Sequence, residues 1–150
     1  MDLGKRLRAV SRRQLDLLEE LQRARGEIID IRGRTRMKIA ELKEHEQHAT
    51  AQYAQAAEAA EPDAEALRDW PERARRRVEE LEAAVAELDV AEQKLSERIT
   101  RATLDMEDFE LLAPQLVGRV AAARTAGLSR EVFETLNDAL RYVELALNSA

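Results

Sequence analysis

The sequence predicts an all-α fold, a long antiparallel helical hairpin of coiled-coil type with a third, C-terminal helix packed on its open end. Three observations predict it. Apolar side chains recur at alternating steps of three and four from Val78 to Val120, and a second seam of the same period starts at Leu3. The two are separated by a stretch punctuated twice, at Glu61-Pro62-Asp63 and at Trp70-Pro71-Glu72. After them comes a short amphipathic stretch behind Gly127. Together these define one helical domain over 1–150, with a first arm 1–60, a bend 61–70, a second arm 71–126 kinked near 114, and a last helix 129–148.

The first arm's seam reads Leu3, Leu7, Val10, Gln14, Leu17, Leu21, Ala24, Ile28 and Ile31, then more weakly Thr35, Lys38, Leu42, His45, Ala49, Gln52, Ala56 and Ala59. Gly33 costs a helix roughly 1 kcal/mol against Ala and does not stop it. At the bend, Pro71 suits a first helical turn and Asp69 its N-cap.

The second arm's seam reads Val78, Leu81, Val85, Leu88, Leu95, Ile99, Ala102, Met106, Phe109, Leu116 and Val120, interrupted by Glu92 and Ala113. Folding the arms back antiparallel with paired numbers adding to 130 sets Leu42 against Leu88 and Leu21 against Phe109. It also sets Lys38, the stray charge of one seam, against Glu92, the stray charge of the other. Pairing of the seams between chains satisfies the same heptads, and heptads alone do not fix chain number. Pro114 removes one backbone hydrogen bond, so a kink or short break is expected there.

Ala126-Gly127 ends the second arm. Ser129 is a cap, with Leu128 and Phe133 as its hydrophobic staple. The last helix presents Phe133, Leu136, Leu140, Val143 and Leu147, flanked by Val132, Ala139 and Ala146. The expected receivers for that stripe are apolar residues outside the two seams, namely Leu15, Leu18, Ile29, Leu104, Leu111, Leu112 and Val117.

Composition narrows the function. With 36% charged and 3% aromatic residues, the chain lacks the bulk for a thick core with a concave pocket, so no enzyme and no cofactor are expected. There is no Cys, hence no thiolate ligand or Cys nucleophile. His45 and His48 share a helix face, but they stand one residue short of the His-Glu-x-x-His spacing and are the only two His, so no metal site is expected. No apolar run reaches the roughly 20 residues that cross a bilayer, and membrane binding is disfavoured because the last helix has no basic excess. The 20 Arg to 4 Lys, with abundant Ala, suit a GC-rich bacterial genome, and a cytoplasmic protein is the expectation.

The net charge of −6 hides a segregation. Residues 1–40 carry 11 basic and 6 acidic side chains, whereas 41–72 carry 2 basic and 9 acidic ones. The Arg73–Arg77 cluster lies between acidic flanks, and the basic first arm is expected to ion-pair with the acidic second arm. An acidic tip carrying Glu61, Asp63, Glu65, Asp69 and the sole Trp, Trp70, is the candidate contact surface for a protein partner. For Trp70 itself the favoured reading is a local plug folded over the end of the arm, and the partner's anchor is the other. Arg6, Arg8, Arg12 and Arg13 are candidate phosphate contacts.

The outline, a basal bundle with a protruding acidic-tipped hairpin, is similar to that of secondary-channel transcription regulators. In length and all-helical seams the chain is similar to the coiled-coil stalk proteins of type III export and to membrane-remodelling phage-shock proteins. These likenesses are of outline, and no motif residue carries a role across. The expected function is that of a non-enzymatic interaction or scaffolding protein that forms homo-oligomers. The alternatives are a nucleic-acid-associated protein using the basic arm and a membrane-remodelling helical protein.

Overall fold

The computed structural model describes residues 2–127 and 129–148, excepting the side chains of Ser129, Val132 and Phe133. The cap and staple expected of Leu128, Ser129 and Phe133 therefore lie outside the described residues. Among the described residues the chain is all-α without a strand: α1 (Leu3–Glu58), the single turn α2 (Ala64–Leu67), α3 (Trp70–Ala126) and α4 (Ser129–Asn148). Pro114 sits inside α3, which runs through it as one helix. Gly127, past the end of α3, has φ +70, the left-handed conformation that glycine adopts without a steric penalty.

Contacts divide the chain into two compact units, one of 1–23 with 96–150, the other of 24–95. In the first, α4 contributes Leu136 and Leu140 to a buried cluster with Leu7 and Val10 of α1 and Phe109, Leu116 and Val120 of α3. Val143 and Leu147 pack on its edge. This corrects the expected landing place of the last helix. It sits on the seam residues themselves; of its expected receivers Leu112 packs against the cluster, whereas Leu15, Ile29, Leu104, Leu111 and Val117 are exposed. The reason is that two packed helices leave a groove along their shared stripe, and a third helix buries more apolar area by filling that groove than by lying on one helix's back. Gln14, the one buried polar residue among those described, donates from Nε2 to the Asp105 carbonyl at 3.4 Å. Polar groups on α1 fasten the outer edge of α4. Arg6 donates to Asn137 Oδ1 at 2.7 Å and to Glu144 Oε1 at 3.3 Å, and Arg13 donates to Asn148.

In the second unit α3 packs against α1, and their covered residues follow the heptad with one displacement. On α3, Val78 is buried, and Leu81, Val85, Leu88, Glu92 and Leu95 are half-buried, as the seam requires. On α1 the covered positions are Ala24, Ile28, Arg32, Thr35, Ile39, Leu42, Glu46, Ala49, Tyr53 and Ala56. Two successive steps of four, Ala24 to Ile28 to Arg32, form a stutter, which shifts every second rung of the expected seam by one residue. Ile31 is thereby 47% exposed while Ile39 is only 8% exposed. The phase through 32, 39, 46 and 53 buries Ile39 and half-buries Tyr53, whereas the expected phase through 31, 38, 45 and 52 offers Ile31 alone with Lys38, His45 and Gln52. The two charges that this exchange brings into the seam, Arg32 and Glu46, each meet an opposite charge on α3.

The register of 130 is overturned with it. Lys38 does not meet Glu92; its Nζ lies 3.5 Å from Glu41 on its own helix. Arg32 takes Glu92 instead and also reaches Asp89 at 2.9 Å. Lys43 pairs with Glu82 at 3.1 Å and Glu46 with Arg75 at 3.2 Å. Residue numbers fall on α3 as they rise on α1, and the pairs centre near 123, one heptad below the expected register. A planar guanidinium spanning two carboxylates explains why an arginine outcompetes a lysine for this position.

Candidate functional site

Within the second unit, α1 gives way to α3 through a turn whose hydrogen bonds are local. Glu61 N–H donates to the Ala56 carbonyl at 3.1 Å and Ala60 N–H to the Ala57 carbonyl at 3.2 Å, with Ala60 at φ +49. That is a Schellman ending with alanine in the left-handed position where glycine is usual. Pro62 follows it, α2 makes one turn, and the Asp69 carbonyl accepts from Arg73 N–H at 3.0 Å to open α3. Asp63 precedes α2 without a side-chain capping bond.

The candidate tip residues are all exposed: Glu61, Asp63, Glu65 and Asp69 stand in the turn, and Trp70 is 52% exposed at the first position of α3. Leu67 and Pro71 are more covered than Trp70. No ion pair ties any of the four carboxylates to a base among the described residues. The turn is thus an acidic surface with an indole on its rim, and the fold brings these five residues into one short segment.

The candidate phosphate contacts lie on the first turns of α1, in the other unit, and they divide. Arg6 and Arg13 are engaged by α4. Arg8 and Arg12 are exposed without an ion-pair partner among the described residues and share a face with Lys5, also exposed.

Ion pairing between the basic first arm and the acidic second one was expected from the sequence, but the residues that carry it were not named. Arg25, Arg32 and Arg36 meet Asp89 and Glu92, with Arg25 at 3.8 Å from Glu92 and Arg36 at 4.0 Å from Asp89. The Glu92 hydrogen bond, then that of Asp89, hold the Arg32 guanidinium's pKa above its ordinary value. The spacing of 25, 32 and 36 was the available signal, since steps of seven and four place all three on one helix face.

His48 hydrogen-bonds Gln52 at 3.1 Å and both histidines are exposed. Among the described residues no group of three His, Cys, Asp or Glu is placed to hold a metal ion, and no helix is long and apolar enough to cross a membrane. In the first unit a groove of about 1000 Å³ runs beside the C-terminal half of α4, lined by Leu17, Leu21, Arg101, Asp105, Phe109 and Tyr142 among others. No family model, curated protein or solved structure matches the chain.

Proposed function

We propose that this is a non-enzymatic scaffolding or interaction protein, pairing α1 and α3 as an antiparallel coiled coil in one unit and clustering α1, α3 and α4 in the other, that self-associates and presents its acidic turn to a protein partner in a bacterial cytoplasm. The observation that carries the reading is the half-exposed Trp70 beside four exposed, unpaired carboxylates. An indole left outside while Leu67 and Pro71 are covered favours contact with a partner over local plugging, because a desolvated Trp ranks among the strongest interface anchors. The coiled-coil component is supported by the order of the cross-helix ion pairs and by the continuous stripe on α3.

The test is Trp70→Ala. Helicity and unfolding free energy are expected to stay within about 0.5 kcal/mol of the parent, while the protein that co-purifies with the parent chain is lost. A large loss of folded signal, or an unchanged co-purified set, refutes the reading.

A second reading is favoured by one observation, the free stripe of Lys5, Arg8 and Arg12. As a duplex-binding surface with three phosphate contacts, it requires log affinity to fall with log salt at a slope of roughly −3. A scaffold without nucleic-acid affinity gives no binding to titrate.

A further inference from the structure

The back of α1 in the first unit, turned away from α3 and α4, carries an ordered stripe. Lys5, Arg8, Arg12 and Leu15 follow one another at steps of three, four and three on the side opposite the buried Leu7, Val10 and Gln14. All four are exposed, Leu15 by 46%, and none of the three bases is ion-paired among the described residues. Asp2 precedes the run, its Oδ1 accepting from Gly4 N–H at 3.2 Å, and Glu19, the next rung, ends it. The packing of α3 and α4 on α1 brings residues 114–137 to the same end of the unit as residues 1–13. Those two stretches hold eight basic and three acidic side chains, whereas the rest of the unit holds four and ten, so the stripe stands at the positive end of a polarised unit.

The acidic turn of the second unit has the matching order. Glu61, Asp63, Glu65 and Asp69, exposed and unpaired among the described residues, are followed by Trp70, 52% exposed, and Arg68 is the only base from Ala59 to Trp70. We propose that the stripe on α1 of one copy receives the acidic turn of a second copy, the carboxylates on Lys5, Arg8 and Arg12 and the indole on Leu15 and the stem of Arg12. The proposal rests on the self-association and the contact role of the turn in the preceding reading, and it names one partner for both. Three cations ending in a leucine meet four carboxylates ending in an indole. A duplex would use the bases and leave Leu15 idle, because phosphates need no apolar rung. Exposed ion pairs are individually weak and screened by salt, so the indole supplies the anchor and the charges supply the orientation. The two surfaces differ, so each junction leaves a free stripe and a free turn, and assembly continues to a ring or an open chain.

The test is solution mass by light scattering over a dilution series up to about 200 µM, at about 0.05 M and about 1 M salt. The parent is expected to grow beyond a dimer with concentration at low salt and to shrink towards the monomer at high salt. Arg8→Glu with Arg12→Glu, Asp63→Arg with Glu65→Arg, and Trp70→Ala each weaken association at least about tenfold. The chain carrying both pairs of reversals regains it, since the signs are then exchanged across the junction. Arg34→Glu with Arg141→Glu, the same change of net charge at exposed residues outside both surfaces, leaves the mass series unchanged. Every substituted side chain is exposed, so circular dichroism at 222 nm stays at the parent value. A parent that stays monomeric throughout overturns the contact and the self-association together; a co-purified protein still lost with Trp70→Ala then keeps the turn's own reading standing. Association indifferent to the stripe reversal or to the turn reversal overturns this contact alone. Duplex binding abolished by the stripe reversal, with the mass series unchanged, gives the stripe to nucleic acid instead.

Discussion

Leu140 is 0% exposed, the most completely enclosed side chain of the cluster that joins α4 to α1 and α3. Replacing it by alanine removes three carbon atoms from contact with Val10, Phe109, Leu116 and their neighbours and leaves a space that helices anchored on several sides close only in part. Leu→Ala at fully buried sites costs about 2–5 kcal/mol, the spread reflecting how far the site collapses. Here α4 is one helix fastened by its edge to Arg6 and Arg13, so some collapse is open to it, and about 3 kcal/mol is the expected loss. With a guanidinium m-value of about 4 kcal/mol/M, the unfolding midpoint falls by about 0.8 M. The matched control is Leu145→Ala, the same substitution in the same helix at a residue 60% exposed, expected to stay within about 0.5 kcal/mol. Helix propensity changes identically in both, so their difference isolates burial. Equal midpoints for the two variants, by circular dichroism at 222 nm, would refute the packing of α4 on the seam.

Ala60→Gly relieves a left-handed backbone that costs an L-residue about 1–2 kcal/mol, and thermal melting is expected to show a stabilisation of about 1 kcal/mol; a destabilised variant would mean that the turn is not closed as described. Arg32→Ala lowers the melting temperature and loses most of that effect in 1 M salt, whereas Lys38→Ala, whose side chain is exposed, leaves it unchanged in either buffer; equal effects would restore Lys38 as the partner of Glu92. The raised Arg32 pKa contributes stability in full below the guanidinium's ordinary range and loses it only above, so Arg32 stays charged across neutral pH and adds no pH dependence there.

The stripe on α3 was legible because the sequence there supports one phase only: from Val78 to Val120 every expected rung is buried or half-buried, Glu92 and Ala113 included. On α1 beyond Ile28 two phases share Thr35, Leu42, Ala49 and Ala56, and the gain of Ile39 and Tyr53 over Ile31 was legible in that helix alone. What it does not contain is the partner that makes Arg32 acceptable in the seam, since Asp89 lies one turn before Glu92 on the other helix and gives an arginine two acceptors. The amphipathic stripe of α4 was equally plain, but its landing place was not, since a stripe specifies what must be covered and leaves open which groove covers it. At the turn, the two prolines and the acidic run were visible, whereas the Schellman ending was hidden because alanine stands where glycine would have signalled it.

Cross-helix ion pairs with both side chains near the surface contribute about 0–1 kcal/mol each, so the pairs between α1 and α3 are minor beside apolar burial. Their effect is selective. A heptad seam is degenerate in steps of seven, and sliding α3 by seven residues sets apolar rungs against apolar rungs again. The charges remove the degeneracy through Ile39, which is 8% exposed in the observed register. Slipping one way carries Ile39 to the place of Arg32, facing Asp89 and Glu92; slipping the other carries it to the place of Glu46, facing Arg75. Either slip desolvates a charge against an isoleucine and leaves it unpaired, at a cost of the order of 1–3 kcal/mol or more. One buried isoleucine between two charged rungs of opposite sign therefore holds the register more firmly than the strength of the ion pairs would suggest, and it does so without adding apolar surface to the seam.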